Sequence, residues 1–216
     1  MSTYDIRIIG DPALRQKADE VVDMDVTVAH MAERMVQTMH KAGGIGLAGP
    51  QVGVLRRLFA WDLGDGPHVI VNPVITENDG EWTFTEGCLS VPGLSCDITR
   101  PKQIHMVGLD LDGNELSIEA DELAARLFQH EIDHLDGILL IDHLDEEMRK
   151  ETLKVLRKTG FMSVPQNRLR PSVVKELFAI AAKADPEAMK SFLEQSTTGS
   201  VLQNPFSENK EQLRLP

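Results

Sequence analysis

Residues 129–134, Gln-His-Glu-Ile-Asp-His, have the side chains with the clearest chemistry in this chain. His130 and His134 are four positions apart, so on a helix both imidazoles point the same way and can hold one metal ion. Glu131 lies about 100° around the helix from His130, close to the ion without ligating it. In such a motif the carboxylate takes a proton from water and returns it to the leaving group. The pattern predicts a metal-dependent hydrolase; the alternative is a polar helix with solvated histidines.

A catalytic metal site also needs a third protein ligand and one open position. Cys88 is a candidate, because small residues surround it in the sequence Glu-Gly-Cys-Leu-Ser at 86–90 and leave the backbone free to bring sulfur to a metal. The alternative for Cys88 is a small buried hydrophobe. The other candidates are sulfur, imidazole or carboxylate groups elsewhere: Cys96, the remaining histidines, Glu146, Glu147 and Glu151.

A glycine-rich segment at 44–51, Gly-Ile-Gly-Leu-Ala-Gly-Pro-Gln, matches the Gly-x-Gly-x-x-Gly pattern of dinucleotide-binding loops. That pattern should follow a strand and begin a helix, whereas this segment follows a predicted helix and precedes a predicted strand. Nucleotide binding is therefore not predicted. The segment instead indicates backbone held close to an extended ligand, with the Gln51 amide as a donor near the reaction centre.

The elements that must position these residues follow from periodicity and turn signals. A helix is predicted over 25–43, between an Asp25 cap and Gly43, and another from an Asp121 cap to about His134. Strands are predicted at 54–63, 69–75 and 81–85, a hairpin at 104–119 and a polar helix at 146–158. With no βαβ alternation, this order predicts an α+β fold with antiparallel β-sheets packed around a central metal-binding helix.

A break near Gly160 divides the chain into a catalytic domain, 1–160, and a mostly helical C-terminal extension, 161–216. The extension is predicted to hold a linker up to Pro171, short helices at 172–184 and 186–195, and a mobile polar tail at 196–216. It carries 7 Lys/Arg and 6 Asp/Glu, net +1, which leaves 15 and 28, net −13, for 1–160.

Composition excludes several classes of function. The 216 residues are 42% hydrophobic and 26% charged, as in globular proteins, and the net charge of −12 opposes binding to DNA or to an anionic membrane. No apolar run is long enough to span a membrane, and the N-terminus does not have the features of a secretion signal. We therefore expect a cytoplasmic protein whose two cysteines, Cys88 and Cys96, do not form a disulfide.

The three segments at 44–51, 86–90 and 129–134 together resemble the peptide deformylase family, whose signatures occur in this order, and the likeness covers residues 1 to about 160. The resemblance implies removal of the N-terminal formyl group from formylmethionyl nascent polypeptides, with release of formate. It implies roles for six residues: Cys88, His130 and His134 as metal ligands, Glu131 as general base and acid, and the Gln51 amide and Leu89 backbone N–H as the oxyanion hole.

The same resemblance implies the metal and the substrate contacts. Ligand type alone would suggest zinc, whereas the family points to one Fe²⁺ per chain, with Zn²⁺, Ni²⁺ or Co²⁺ as substitutes. The residues implied in substrate binding are Ile45, Phe84, Leu123 and Leu127 as the methionine pocket, and Ile45, Gly46 and Gly87 as backbone partners of an extended peptide.

Two positions depart from the family pattern. Gly49 stands where alanine is usual, which is expected to loosen the loop of Gln51. Arg126 stands at a position often apolar in relatives, and either the pocket rim or solvent is expected around it. The near-neutral extension, 161–216, is a candidate for transient contact with the ribosome.

Two rival functions remain. A zinc endopeptidase would use His130, His134 and a downstream glutamate, Glu147 or Glu151, and would not need Cys88. A metal-binding protein without turnover would need neither Glu131 nor Gln51, and the presence of both argues against it.

Overall fold

The computed structural model describes residues 2–158, 168–172 and 174–175. The strands in these ranges are β1 (Ile6–Arg7), β2 (Gly46–Ala48), β3 (Leu58–Trp61), β4 (His68–Asp79), β5 (Trp82–Gly87), β6 (Ser95–Arg100), β7 (Gln103–Leu109), β8 (Glu115–Asp121) and β9 (Arg168–Leu169). The helices are α1 (Val26–Ala42), α2 (Glu122–Leu135) and α3 (Glu146–Lys158), with short 3₁₀ helices at Pro12–Arg15, Gly49–Val52 and Leu140–His143.

Antiparallel pairing organises the strands into three sheets within the described residues. The largest has the order β2-β3-β4-β7-β8, while β5 pairs with β6 and β1 pairs with β9. Helix α2 packs its apolar side chains, including Phe128, against Phe59 and Trp61 of the large sheet. The predicted α+β fold with a central helix is confirmed.

Helix α1 begins and ends where its sequence signals predict. The Asp25 carboxylate accepts hydrogen bonds from the N–H groups of Thr27 and Val28, at 2.9 and 3.1 Å, which satisfies two backbone donors of the first turn. Gly43 ends the helix with φ of 76°, a left-handed conformation that glycine adopts without a Cβ penalty. The turn at Gly43 directs the chain into β2.

The predicted hairpin is β7 and β8, in the register Gly108↔Leu116. Its turn is closed by Asp110, whose carboxylate accepts from the N–H groups of Asp112 and Asn114, both at 2.8 Å. Strand β6 was not predicted, because residues 95–100 alternate small and polar residues with few aromatic or β-branched ones. In the structure β6 pairs with β5 in the register Glu86↔Cys96 and completes the second hairpin.

Helix α2 begins at Glu122 with Asp121 at the N-cap position, as predicted, but the Asp121 side chain does not cap it. Asp121 is the last residue of β8, and its side chain makes no capping hydrogen bond. The tight connection from β8 places Glu122 at φ of 42°. A backbone hydrogen bond, from the Glu122 N–H to the Lys102 carbonyl at 2.8 Å, holds this start of α2.

Part of the C-terminal extension folds back on the N-terminus. Residues 168–169, predicted as linker, form β9, and the backbone is helical at 171–172 and 174–175. The other positions of the predicted helices at 172–184 and 186–195, and the tail at 196–216, lie outside the described residues. The domain boundary near Gly160 stays a prediction. Among the described residues, no helix is long and apolar enough to cross a membrane.

Gly49 lies in a tight loop, so the prediction that it loosens this segment is wrong. Its carbonyl accepts from the Val54 N–H at 2.9 Å, and a Cβ at Gly49 would lie 2.6 Å from the Arg56 carbonyl oxygen and 2.7 Å from that of Val54. Neither oxygen can move without the backbone. The missing side chain thus allows the loop to close.

We expect Gly49→Ala to lower the free energy of unfolding by about 1–3 kcal/mol, the usual effect of overpacking. Urea denaturation measures this loss. Gly87→Ala is the matched control, since a Cβ there meets no atom nearer than 3.9 Å. Equal stability of the two variants would contradict the close packing of Gly49.

Candidate active site

Three buried side chains from two elements converge beside β2. The ligand atoms of Cys88, His130 and His134 all lie within 4.8 Å of one another, and Cys88 Sγ is 3.2 Å from His134 Nε2. Both histidines lie on α2, while Cys88 follows β5 in a turn. A thiol and two imidazoles form a donor set that suits Fe²⁺, Zn²⁺, Co²⁺ or Ni²⁺, so these residues fit a bound divalent metal ion.

A buried carboxylate orients one of the imidazoles. His130 Nδ1 is 3.0 Å from a carboxylate oxygen of Glu86, an arrangement that leaves Nε2 to face Cys88 and His134. Burial would raise the pKa of Glu86, but hydrogen bonds from His130 and Arg100 hold it well below its usual range. Glu86 is therefore an anion that fixes the ring and its tautomer.

The other candidate metal ligands named from the sequence do not belong to the cluster of Cys88, His130 and His134. The acids Glu146, Glu147 and Glu151 are exposed on α3. Cys96 is a buried free thiol, and burial, with Asp97 and Glu86 nearby, raises its pKa to about 11. By contrast, burial lowers the pKa of His134 well below its usual value, which keeps this imidazole neutral, as a metal ligand must be.

Glu131 lies against β2 beside the three ligands. Burial raises the pKa of Glu131 to about 7, near the value that suits a group exchanging protons at neutral pH. Its Oε2 is buried and has no hydrogen-bond partner among the described residues. A Cβ at Gly46 would lie 2.4 Å from Glu131 Oε1, so only glycine at position 46 allows this approach.

Gln51 and Leu89 lie next to the thiol. The Ala48 N–H donates to Gln51 Oε1 at 2.7 Å, which fixes the amide and turns Nε2 toward Ser90 Oγ, at 3.3 Å, and Cys88 Sγ, at 3.8 Å. Leu89 is the first central residue of a turn closed by the Val91 N–H and the Cys88 carbonyl, at 2.9 Å. The Leu89 N–H is not needed by that turn and donates to no acceptor within the described residues.

The residues expected to bind substrate fall into two groups. Ile45, Leu123 and Leu127 pack in one apolar cluster beside Glu131. Phe84 instead stacks on Trp82 in the β5–β6 hairpin, with ring centroids 4.7 Å apart. Two outer strands, β2 with Gly46 and β5 with Gly87, each pair on one edge only within the described residues.

Arg126 is buried, and the expectation of a solvated side chain is wrong. Its guanidinium contacts the Glu86 carboxylate and the Trp82 carbonyl, donates to the Ile98 carbonyl at 3.0 Å, and lies over the Trp82 ring. It thereby joins α2, which carries both histidines, to the hairpin that leads into Cys88. Arg100 is bonded to Glu86 as well, at 2.6 Å.

Replacing Arg126 by methionine should lower the free energy of unfolding by about 3–5 kcal/mol, because it removes one partner of a buried ion pair. Equilibrium denaturation in urea measures the loss. Arg149→Met, which breaks the half-exposed ion pair with Asp142, is the control and should cost about 1 kcal/mol or less. Similar losses in both variants would show that Arg126 does not hold the hairpin against α2.

The sequence reasoning assigned no role to Glu86, Arg100 or Ser90. Glu86 stands two residues before Cys88 in the same motif, and a buried imidazole ligand usually has such a carboxylate partner, which is the signal that was available. Arg100 also forms an ion pair with Asp133, at 2.8 Å. The segment 129–134 is therefore held to β6 through Asp133 and to β5 through the contact of His130 with Glu86.

Known proteins resemble this chain in both sequence and structure. The sequence pattern of the polypeptide deformylase family matches residues 3–150. Peptide deformylase 1 of Corynebacterium efficiens is 46% identical over 170 residues, covering 76% of this chain and 99% of the relative. The peptide deformylase of Parafrankia sp. is 41% identical over 179 residues, covering 80% of this chain and 95% of the relative.

Solved structures of peptide deformylases are also similar to this structure. Peptide deformylase from Thermotoga maritima superposes with a TM-score of 0.66 and 42% sequence identity, and the alignment covers 67% of this chain and 99% of the Thermotoga chain. The enzyme of Synechococcus elongatus, solved in complex with actinonin, is 38% identical with a TM-score of 0.68, covering 73% of this chain and 86% of that chain. The chain whose Cys88, His130 and His134 converge beside Glu131 belongs to the polypeptide deformylase family.

Proposed function

We propose that this chain is a metal-dependent hydrolase that removes the N-terminal formyl group from formylmethionyl peptides and releases formate. The observation that carries the proposal is the convergence of Cys88, His130 and His134, whose ligand atoms lie within 4.8 Å of one another, with Glu131 buried beside them. Membership of the polypeptide deformylase family gives the reaction.

Cys88 Sγ and one nitrogen of each histidine would hold the metal ion. When bound, a divalent ion supplies Lewis-acid activation of the formyl carbonyl and lowers the pKa of water. We propose Fe²⁺ as the native ion, and the thiol-imidazole donor set is equally compatible with Zn²⁺, Ni²⁺ or Co²⁺. An iron site with a thiolate ligand should lose activity in air, because both iron and sulfur oxidise.

Glu131 moves the proton in this mechanism. Its carboxylate takes a proton from the attacking water, whose oxygen forms a bond to the formyl carbon. As the C–N bond breaks, Glu131 delivers that proton to the departing nitrogen, and the formic acid that results loses its remaining hydroxyl proton to solvent and leaves as formate. The pKa of about 7 allows Glu131 to act as base and then as acid near neutral pH.

Gln51 and Leu89 stabilise the charge that develops on the formyl oxygen. Gln51 Nε2 is fixed by the bond between its Oε1 and the Ala48 N–H, and the Leu89 N–H is not used within its turn. Two donors fixed in a buried site need no reorganisation during the reaction, which makes such groups effective.

The substrate is held as an added strand. The open edges of β2 and β5 would pair with the peptide backbone through Ile45, Gly46 and Gly87. The methionine side chain would enter the apolar cluster of Ile45, Leu123 and Leu127, with Phe84 from the hairpin. Main-chain pairing tolerates many downstream sequences, as a processor of nascent chains requires.

Formate release from formyl-Met-Ala-Ser, by enzyme purified without oxygen, tests this proposal. Acetyl-Met-Ala-Ser, which differs by one methyl group at the reacting carbonyl, is the control substrate. We expect turnover of the formyl peptide and inhibition by actinonin, the compound bound in the Synechococcus structure. No formate despite one bound metal ion per chain would remove the proposal. Ribosome contact through 161–216 stays a prediction.

A further inference from the structure

Residues 168–172 and 174–175, the C-terminal segment, lie beyond residues 3–150, which match the family's sequence pattern, and they contribute to an apolar cluster against which Leu89 of the proposed oxyanion hole packs. Strand β9 pairs with β1 in the register Ile6↔Leu169. Val174 follows in a helical turn and is 0% exposed, in a cluster with Ile6 and Ala42. The C-terminal segment is thus anchored by backbone pairing and by a fully buried side chain.

The side chain of Leu89 packs against this same cluster. It also packs against the apolar face of α1, and its Cδ1 lies 2.6 Å from the position that a Cβ of Gly44 would occupy. The next residue is fixed from the same direction, because the Ile9 N–H donates to the Ser90 carbonyl at 2.8 Å. Leu89 therefore packs against a cluster to which the N-terminal strand, the end of α1 and the C-terminal segment each contribute one buried side chain: Ile6, Ala42 and Val174.

The orientation of the Leu89 N–H depends on how its side chain is held. The N–H and the side chain belong to one residue in a turn, outside any strand or helix that would fix its backbone. The turn is closed by a hydrogen bond from the Val91 N–H to the Cys88 carbonyl, and this bond does not involve the Leu89 N–H. Packing of the Leu89 side chain must therefore limit rotation of the peptide group between residues 88 and 89. A cavity beside Leu89 would permit that rotation.

We propose that the C-terminal segment, residues 168–172 and 174–175, is a positioning element for catalysis: Val174 and Leu169 hold the Leu89 side chain so that its backbone N–H stays aimed at the developing oxyanion. This inference rests on the proposed function. Removal of one oxyanion donor typically costs about 10²–10³ in rate, so a misaligned donor should cost a part of that. The ground state of the substrate does not need this donor, so the loss should appear in kcat and leave KM unchanged.

The alternative is that the segment only adds stability. Val174→Ala in the full-length chain separates the two roles, with Ile104→Val as the control. Ile104 is buried in β7, in the cluster around Phe59 and Phe128, which does not include Leu89. Each enzyme is assayed with formyl-Met-Ala-Ser at the same number of degrees below its own Tm, and bound metal is measured in the same samples. Leu169→Ala, a half-buried position in the same cluster, is a milder second variant should Val174→Ala fold poorly.

We expect kcat of Val174→Ala to fall about 3- to 10-fold, a fraction of the effect of losing the donor, with KM within about twofold and full metal content. Leu169→Ala should change in the same direction by less. A kcat equal to that of Ile104→Val, or a loss explained by missing metal, would overturn the positioning role while leaving the deformylase reaction intact. Absence of formate release from the wild type and from Ile104→Val would overturn both proposals.

Discussion

Replacing Glu131 by glutamine should lower kcat by about 10²–10⁴, the usual contribution of a proton-transfer group. Glutamine preserves the shape of the side chain against Gly46 but cannot accept a proton from water. Glu131 is not among the side chains whose ligand atoms form the metal cluster, so the variant should keep its metal ion. Steady-state formate release, with metal content measured in the same samples, gives both numbers.

Glu122→Gln is the matched control, since it makes the same chemical change at the first residue of α2, where the side chain pairs with Lys102 at the surface. This control should retain wild-type turnover. If Glu131→Gln kept its metal and turned over within tenfold of the wild type, another group would have to move the proton.

Cys88→Ala should lose the metal ion and, with it, formate release. The variant keeps the two imidazoles but removes the thiolate, leaving two of the three ligand atoms of the cluster. Metal analysis after dialysis against a weak chelator, beside the wild type, measures the loss. A zinc endopeptidase that used His130, His134 and a glutamate of α3 would keep its metal in this variant.

Cys96→Ala is the control for that experiment. Cys96 is also a buried free thiol, but it lies opposite Glu86 in the β5–β6 hairpin and is not among the side chains whose ligand atoms form the cluster. It should remain fully metallated and active. Full metal in Cys88→Ala would contradict the proposed ligand set.

The parts of the fold that sequence predicts well are those with local signals. Asp25 and Gly43 mark the ends of α1, and the turn at 110–114 marks the β7–β8 hairpin, because capping and turn residues act on their own backbone neighbours. Strand β9 has no such signal. Its pairing with β1 joins Ile6 to Leu169, and a two-residue strand is defined by its partner alone.

The candidate site likewise has residues that local sequence signals predict and residues whose surroundings depend on distant parts of the chain. The i, i+4 spacing of His130 and His134 and the neighbouring Glu131 are local to one helix, and a helix fixes their relative directions. Burial of Arg126 is not local, because it depends on the β5–β6 hairpin folding over α2 and presenting four acceptors to one guanidinium. An arginine between apolar residues gives the same sequence pattern whether it faces water or a buried carboxylate.

The most direct test of the account is the identity of the bond that this protein breaks. Formyl-Met-Ala-Ser is incubated with the metal-loaded wild type, and all products are identified by mass spectrometry. We expect equal amounts of formate and intact Met-Ala-Ser. Formyl-Met and Ala-Ser would show peptide-bond cleavage instead, and would contradict the proposed deformylase mechanism in favour of an endopeptidase.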